Sequence, residues 1–363
     1  MGNCYEPTVN KNEQILFQRR KSLSTIESYS KWHTLVNESP ALCLSHLNLF
    51  EKDVIAAGFS NSTIRVWDAY SKDENKLHLE ITSHFSSVTS ITTLQLDEKT
   101  ILLVSADDMG YIHTYDLKLV EPLVNRRQAH EGAVKSVISM KLFIKNEPVI
   151  VSGGLDGKIK IWSSNLKEEL ITLPGHENGV FCLNSCDFNG TNYIISGGFD
   201  RIINLWNPLD ANNKLINSFT GHESYILCVT SLILNGKEVI VSGSNDNKIK
   251  VWNALCSEKL LKAWNPIGKE NKKLLMTLFG HHDAVTSLIS VKWNEFERNK
   301  EFIVSGSLDG TVKIWDPAAD LREICSIKVY FGPIYCLTDY VYMNEIAIVS
   351  GGDKEVIIWK KVD

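Results

Sequence analysis

Several features that would have assigned a function at once are missing from these 363 residues. No run of eighteen apolar residues occurs, so no segment reads as a membrane-spanning helix. No secretory leader opens the chain. Eight cysteines are present, but none stands in a CxxC or other ligand spacing, which argues against a zinc site or a redox pair. A basic excess is missing as well. The 38 Lys and Arg face 43 Asp and Glu, a formal charge of −5, whereas a nucleic-acid footprint needs a positive stripe. These absences lead us to expect a reduced, cytoplasmic protein that binds no nucleic acid.

What is present is a repeat. Seven similar strand endings recur: STIRVWD to Asp68, GYIHTYD to Asp116, GKIKIWS to Ser163, RIINLWN to Asn207, NKIKVWN to Asn253, GTVKIWD to Asp316 and KEVIIWK to Lys360. Their aromatics are Trp67, Tyr115, Trp162, Trp206, Trp252, Trp315 and Trp359. A period in the forties with this ending signals a β-propeller, so the chain is read as one ring rather than as two or three domains. Within a unit, apolar runs of four to six residues are bounded by Gly, Asn and Asp, the pattern of short antiparallel strands. Cys43, Cys182, Cys228 and Cys336 all fall at one repeat position, where the other units carry Ser90, Ser136 and Ser287. A position that alternates Cys and Ser is small and buried, not part of a disulfide framework.

Four units repeat a polar set: His130, Ser152, Asp156, Trp162; His176, Ser196, Asp200, Trp206; His222, Ser242, Asp246, Trp252; and His281, Ser305, Asp309, Trp315. On these residues the chain closely resembles the WD-repeat family from about residue 22 to its end. The resemblance implies that each set is a hydrogen-bonded tetrad locking one blade. Buried hydroxyl, imidazole, carboxylate and indole groups can satisfy one another. A Ser-His-Asp nucleophile site would need one activated Ser beside an oxyanion hole, and four copies around a ring fit structure better than catalysis. Three units depart. The second has Met109 where the turn Asp belongs, with Asp107 and Asp108 displaced; the first has Ala57 and Asn61 and no aligned His; the seventh lacks the His and has Asp353 one residue early. These three blades are expected to be less firmly locked.

The expected fold is all-β: a seven-bladed WD-repeat propeller over residues 22–363, after a flexible tail over 1–21. Only four residues follow Trp359, too few for an outer strand. The family's solution is that the leading segment supplies it, here Ser24 to Leu35, which closes the ring and removes a sheet edge. The resemblance also implies that partners dock on the narrower face, at positions three and five past the His. These are Ser87 and Thr89, Ala133 and Lys135, Gly179 and Phe181, Tyr225 and Leu227, and Ala284 and Thr286, with Pro40 and Leu42 matching in the first unit and Pro333 and Tyr335 in the last. Leu42, Phe181, Tyr225, Leu227, Pro333 and Tyr335 are the candidate partner contacts, because exposed apolar and aromatic groups mark binding sites.

Two further segments stand out. Trp252 and His281 are 29 residues apart where other units use 14 to 17, and the excess, Leu255 to Lys273, carries five lysines around Trp264. Met1-Gly2-Asn3-Cys4 offers Gly2 for myristoylation and Cys4 for palmitoylation, although Glu6 stands where Ser or Thr is preferred. The Gly153–Lys158 turn is no phosphate loop, since its glycines are too close and Ile159 follows the Lys. A metal site at His281-His282-Asp283 has no second ligand cluster to complete it. The expected function is a non-catalytic scaffold for proteins or peptides, needing no cofactor and no metal, a monomeric propeller within a larger complex. Its rivals are a signalling subunit held at a membrane by acylated Gly2 and Cys4, and the substrate receptor of a ubiquitin-ligase-like complex.

Overall fold

The computed structural model describes residues 29–36, 38–49, 52–69, 77–142, 147–188, 190–212, 214–254, 273–293, 300–318, 323–329, 332–342 and 345–361. The tail over 1–21, Gly2, Cys4 and the 255–272 part of the insertion lie outside them. All of the secondary structure among the described residues is extended: 28 strands in seven four-stranded sheets.

The fourth blade shows how one sheet is built. Val180–Phe188, Thr191–Gly198, Ile203–Trp206 and Leu215–Phe219 pair consecutively and antiparallel. Thr191–Gly198 is buried over its last five residues and the Ile203–Trp206 strand throughout, because both of their faces are covered by neighbouring blades. The turn between those strands needs a left-handed residue after its Asp. Gly157, at φ 79°, supplies one in blade 3 without steric cost, while Arg201 adopts φ 66° in blade 4 against its Cβ.

The apolar core is shared between blades rather than held within them. One cluster joins Cys182, Ile195 and Phe219 of blade 4 to Ile226, Ile240 and Trp252 of blade 5. Equivalent clusters join blades 1 and 2, 2 and 3, 3 and 4, 5 and 6, and 6 and 7. A last one joins blade 7, through Cys336, Val349 and Ile358, to Ala41, Ile55 and Trp67 of blade 1. Seven wedges that return to the first blade make a closed ring.

The Cys/Ser position stitches these wedges together. The thiols donate to a carbonyl of the next blade, Cys228 to Val285 at 3.4 Å and Cys336 to Ala41 at 3.3 Å. The serines accept an N–H of the next blade instead, Ser90 from Val137 at 3.0 Å and Ser287 from Leu337 at 3.0 Å. All four thiols are unpaired and buried, and burial raises their pKa. The blades approach closely here. A Cβ on Gly197 would lie 2.5 Å from Ile226 Cγ2 and 2.8 Å from Cys182 Sγ.

The outer strand of blade 7 is Tyr29–Val36, paired antiparallel with Glu355–Lys361. Tyr29 lies opposite Lys361 and Val36 opposite Glu355. Leu35 is buried in the cluster between blades 7 and 1, and Lys31 pairs with Glu355 at 3.3 Å. The expected stretch began at Ser24; residues 24–28 lie outside the described ones.

Candidate functional site

In blade 5 the repeated polar set forms one hydrogen-bonded relay. The Trp252 indole N–H donates to Ser242 Oγ at 2.8 Å, Ser242 meets His222 Nε2 at 2.7 Å, and His222 Nδ1 meets Asp246 at 2.8 Å. Blades 3, 4 and 6 repeat it, with every corresponding distance between 2.7 and 3.0 Å. An ionised carboxylate only accepts, so Nδ1 carries the proton and the serine hydroxyl donates to Nε2. Burial favours the neutral imidazole and lowers the His130 and His281 pKa values. Burial would raise Asp246 and Asp309, but hydrogen bonds outweigh it and hold both at about 2. Asp246 accepts from His222 and the Glu223 N–H, and Asp309 from Thr311, the His282 N–H and His281. Ser152, Ser196, Ser242 and Ser305 have no exposed surface. Each hydroxyl is engaged by Trp and His and out of a substrate's reach, so these sets hold blades rather than attack carbonyls.

Blade 2 corrects the expectation of a weak lock. His84 Nδ1 meets Asp107 at 2.8 Å and His84 Nε2 meets Ser105 at 2.5 Å. Asp107, two residues past the serine, replaces the turn carboxylate, and it also accepts the Met109 and Tyr111 N–H groups. Tyr115 takes the place of Trp and bonds Ser83 and His113 Nδ1, each at 2.8 Å. His113 stacks on His84, centroids 4.0 Å apart and planes 6° from parallel. His84, Asp107 and His113 thus bring three potential ligands together in a buried place. Imidazole nitrogens bind metal in the ring plane at about 2 Å. Two stacked rings direct their lone pairs into parallel planes and cannot converge on one ion, and both His84 nitrogens are already bonded. The cluster is a lock with a histidine spacer. His113 Nε2 is buried without a partner, and burial, then the neighbouring His84, depresses its pKa to about 3.

Blade 7 keeps half a relay. Trp359 donates to Ser350 at 2.8 Å, and in place of a His–Asp pair the Tyr335 hydroxyl donates to Asp353 at 2.7 Å. Burial and that carboxylate push the Tyr335 pKa up to about 12. In blade 1, Asn61 accepts from Thr63 and pins only its own turn.

The connections that carry the histidines and the turns that carry the aspartates lie on one face, called upper here. The candidate contacts owe their place on it to a backbone irregularity. In blades 1 to 6 the inner strand slips register at Ala41/Cys43, Val88/Ser90, Val134/Ser136, Val180/Cys182, Ile226/Cys228 and Val285/Ser287. The skipped residues, Leu42, Thr89, Lys135, Phe181, Leu227 and Thr286, are released from the ladder, and such bulges re-aim a side chain. Thr89 and Thr286 turn theirs to backbone carbonyls of the next blade, Val134 and Ile334, so they serve blade docking rather than partners. Ala133 and Ala284 are buried. Leu42, Phe181, Leu227, Pro333 and Tyr335 are half-buried, and Tyr225 is 43% exposed.

Phe181 and Tyr225 are linked by a residue outside the candidate set. Phe199 meets Phe181 at 4.3 Å and Tyr225 at 4.5 Å, both edge to face, so three rings run from blade 4 to blade 5. Leu155, 38% exposed, occupies the corresponding turn position in blade 3. The signal for Phe199 was its place just before the turn Asp, a position the repeat leaves free to vary.

Comparison with known proteins agrees with this geometry. The profile of the "WD domain, G-beta repeat" family matches residues 122–163, 167–207, 213–253 and 272–316, the four units with complete relays. Protein transport protein sec13 of Aspergillus fumigatus is 35% identical over 108 residues, 29% of this chain and 34% of that protein. The match thus spans about a third of that relative's length. The ribosome biogenesis protein WDR12 homolog of Aedes aegypti is 22% identical over 377 residues, covering 96% of this chain and 79% of that one. Among solved structures, the WD40 beta propeller domain of Doa1 superposes with a TM-score of 0.69 at 20% identity, covering 93% of this chain and 98% of that chain.

Proposed function

We propose that this chain, a WD-repeat β-propeller, is a non-catalytic scaffold that docks proteins or peptides on its upper face. The observation that carries the reading is the run Phe181–Phe199–Tyr225: three aromatic rings in series, the middle one touching both others, partly open to solvent and set on a rigid ring. Aromatic groups of this kind dominate interface energetics, and rigid ones lose little entropy on binding. The non-catalytic part is supported by the sequestered serines. The likeness to a ribosome biogenesis protein over 96% of the chain supports work inside a large assembly. The negative formal charge favours protein over RNA as the contact there.

The test is affinity purification from the native cell with wild type and the Phe181→Ala/Tyr225→Ala variant, both checked for an unchanged melting temperature. Loss of at least one stoichiometric partner supports the reading. Recovery of every partner by the folded variant refutes it. Tethering through acylated Gly2 and Cys4 would add a membrane address to the same scaffold. Intact mass after co-expression with an N-myristoyltransferase decides that, and an unmodified Gly2 removes it.

A further inference from the structure

We infer that the occupant of the upper face is a basic peptide segment carrying one apolar anchor, an inference that rests on the docking role given to that face above. The charge of the relays carries it. Each relay sets a turn carboxylate, Asp156, Asp200, Asp246 or Asp309, at this face. The turn aspartates of blades 3 to 6 expose only 4 to 10% of their side chains, so solvent screens them weakly. A second acidic residue follows each relay histidine on the connection beside the turn. Glu131, Glu177 and Glu223 directly follow the relay histidines, Asp283 follows His281 by two residues, and all four are exposed. The relay fixes these loops: Asp246 accepts the Glu223 N–H and Asp309 the His282 N–H, both at 2.9 Å.

Cations on this face only partly answer. Lys135 is taken by Asp108 at 2.7 Å. Lys248 pairs with Glu223 at 2.9 Å, but that carboxylate is 75% exposed and the pair is correspondingly weak. Lys158 and Arg201 lie in the turns of blades 3 and 4, whereas the blade 6 turn, Leu308 to Thr311, has none. Glu131, Glu177 and Asp283 are in no ion pair among the described residues. An aromatic ridge flanked by carboxylates that the neighbouring cations only partly compensate attracts Lys and Arg and repels acidic segments and nucleic acid. Between the carboxylates, the open flank of Phe199 and Tyr225 receives the anchor.

The probes are three fluorescein-labelled dodecapeptides read by anisotropy: alternating Lys and Gly around one central Phe, the same peptide with Gly for Phe, and the same with Glu for every Lys. The first is expected to bind, the second about tenfold more weakly, and the third not detectably. Raising NaCl from about 50 to about 500 mM should weaken the first about tenfold. Glu177→Lys/Glu223→Lys changes only exposed groups and should abolish its binding while leaving the melting temperature unchanged. Phe199→Ala and Tyr225→Ala should each bring it to the level of the peptide without Phe. If the acidic peptide binds as well as the basic one, or the charge-reversed protein binds unchanged, the inference is overturned while the docking face stands. If binding ignores Phe199→Ala and Tyr225→Ala as well, the docking face falls with it.

Discussion

Replacing Ser242 by Ala isolates what a relay contributes. Its hydroxyl accepts the Trp252 N–H at 2.8 Å and meets His222 Nε2 at 2.7 Å, and the three residues are 0%, 1% and 6% exposed. Alanine fits the space but strands one donor and one acceptor where water cannot reach. Each buried unsatisfied group costs about 1–3 kcal/mol, so the variant should lose about 2–6 kcal/mol. Blade 1 is the natural control. It has Ala57 at the same position, no aligned His and Asn61 for the Asp, so of the relay's partners only Trp67 remains and a serine there could add one hydrogen bond at most. Ala57→Ser should therefore change stability by less than about 1 kcal/mol. A ring of seven blades need not unfold in one step, so global denaturation is best paired with hydrogen exchange in the Ile249–Asn253 strand. A double variant, Ser242→Ala with His222→Phe, should recover part of the loss, because removing both partners costs less than removing one. If Ser242→Ala unfolds at the wild-type denaturant midpoint, with unchanged exchange in blade 5, the relay argument is wrong.

Other perturbations test other joints of the ring. Deleting residues 1–36 removes the Tyr29–Val36 strand, bares the edge of Glu355–Lys361 and opens the Leu35 cluster, and should lower the melting temperature by roughly 10 °C or more; deleting 1–18 should leave it within about 2 °C. Gly197→Ala places a methyl 2.5 Å from Ile226 Cγ2 between two packed blades and should cost about 1–3 kcal/mol in denaturant titration. His113, with a folded pKa of about 3 against an ordinary 6.5, must stay neutral to be buried. Its contribution is complete above pH 6.5 and is lost as pH falls from 6.5 towards 3, at no more than about 1.4 kcal/mol per pH unit. His113→Asn, the residue type that blade 4 carries at Asn204, should flatten that part of the stability profile, leaving the acid limb below pH 3.8 where the lowered relay aspartates are protonated.

Much of the ring was legible because its physics repeats. Each blade needs an aromatic on its third strand and a small residue where blades touch, so Trp162, Trp206 and the Cys/Ser position recur with a fixed period. The Tyr29–Val36 strand completes the seventh sheet beside Glu355–Lys361. What escaped was compensation. Asp107 reaches His84 from the end of a strand instead of from a turn, and Tyr335 serves Asp353 in blade 7 where a His is missing; neither follows from spacing, because each depends on how a side chain crosses a local gap. The site was half legible. The bulge positions follow the repeat, but whether their side chains face solvent or a neighbouring carbonyl does not. Thr89 turned inward, Phe181 joined a ridge, and Phe199 stands at a repeat position whose residue type varies from blade to blade.

The central claim is that partners are held on the upper face. It is tested most directly by placing a photo-crosslinking amino acid at single positions in the native cell: at Phe199 on the aromatic ridge, and at Ile233, 52% exposed at the far end of a blade 5 inner strand. The account predicts discrete, ultraviolet-dependent adducts from position 199 and none above background from position 233. Adducts from position 233 with none from 199 would place docking on the opposite face and contradict it.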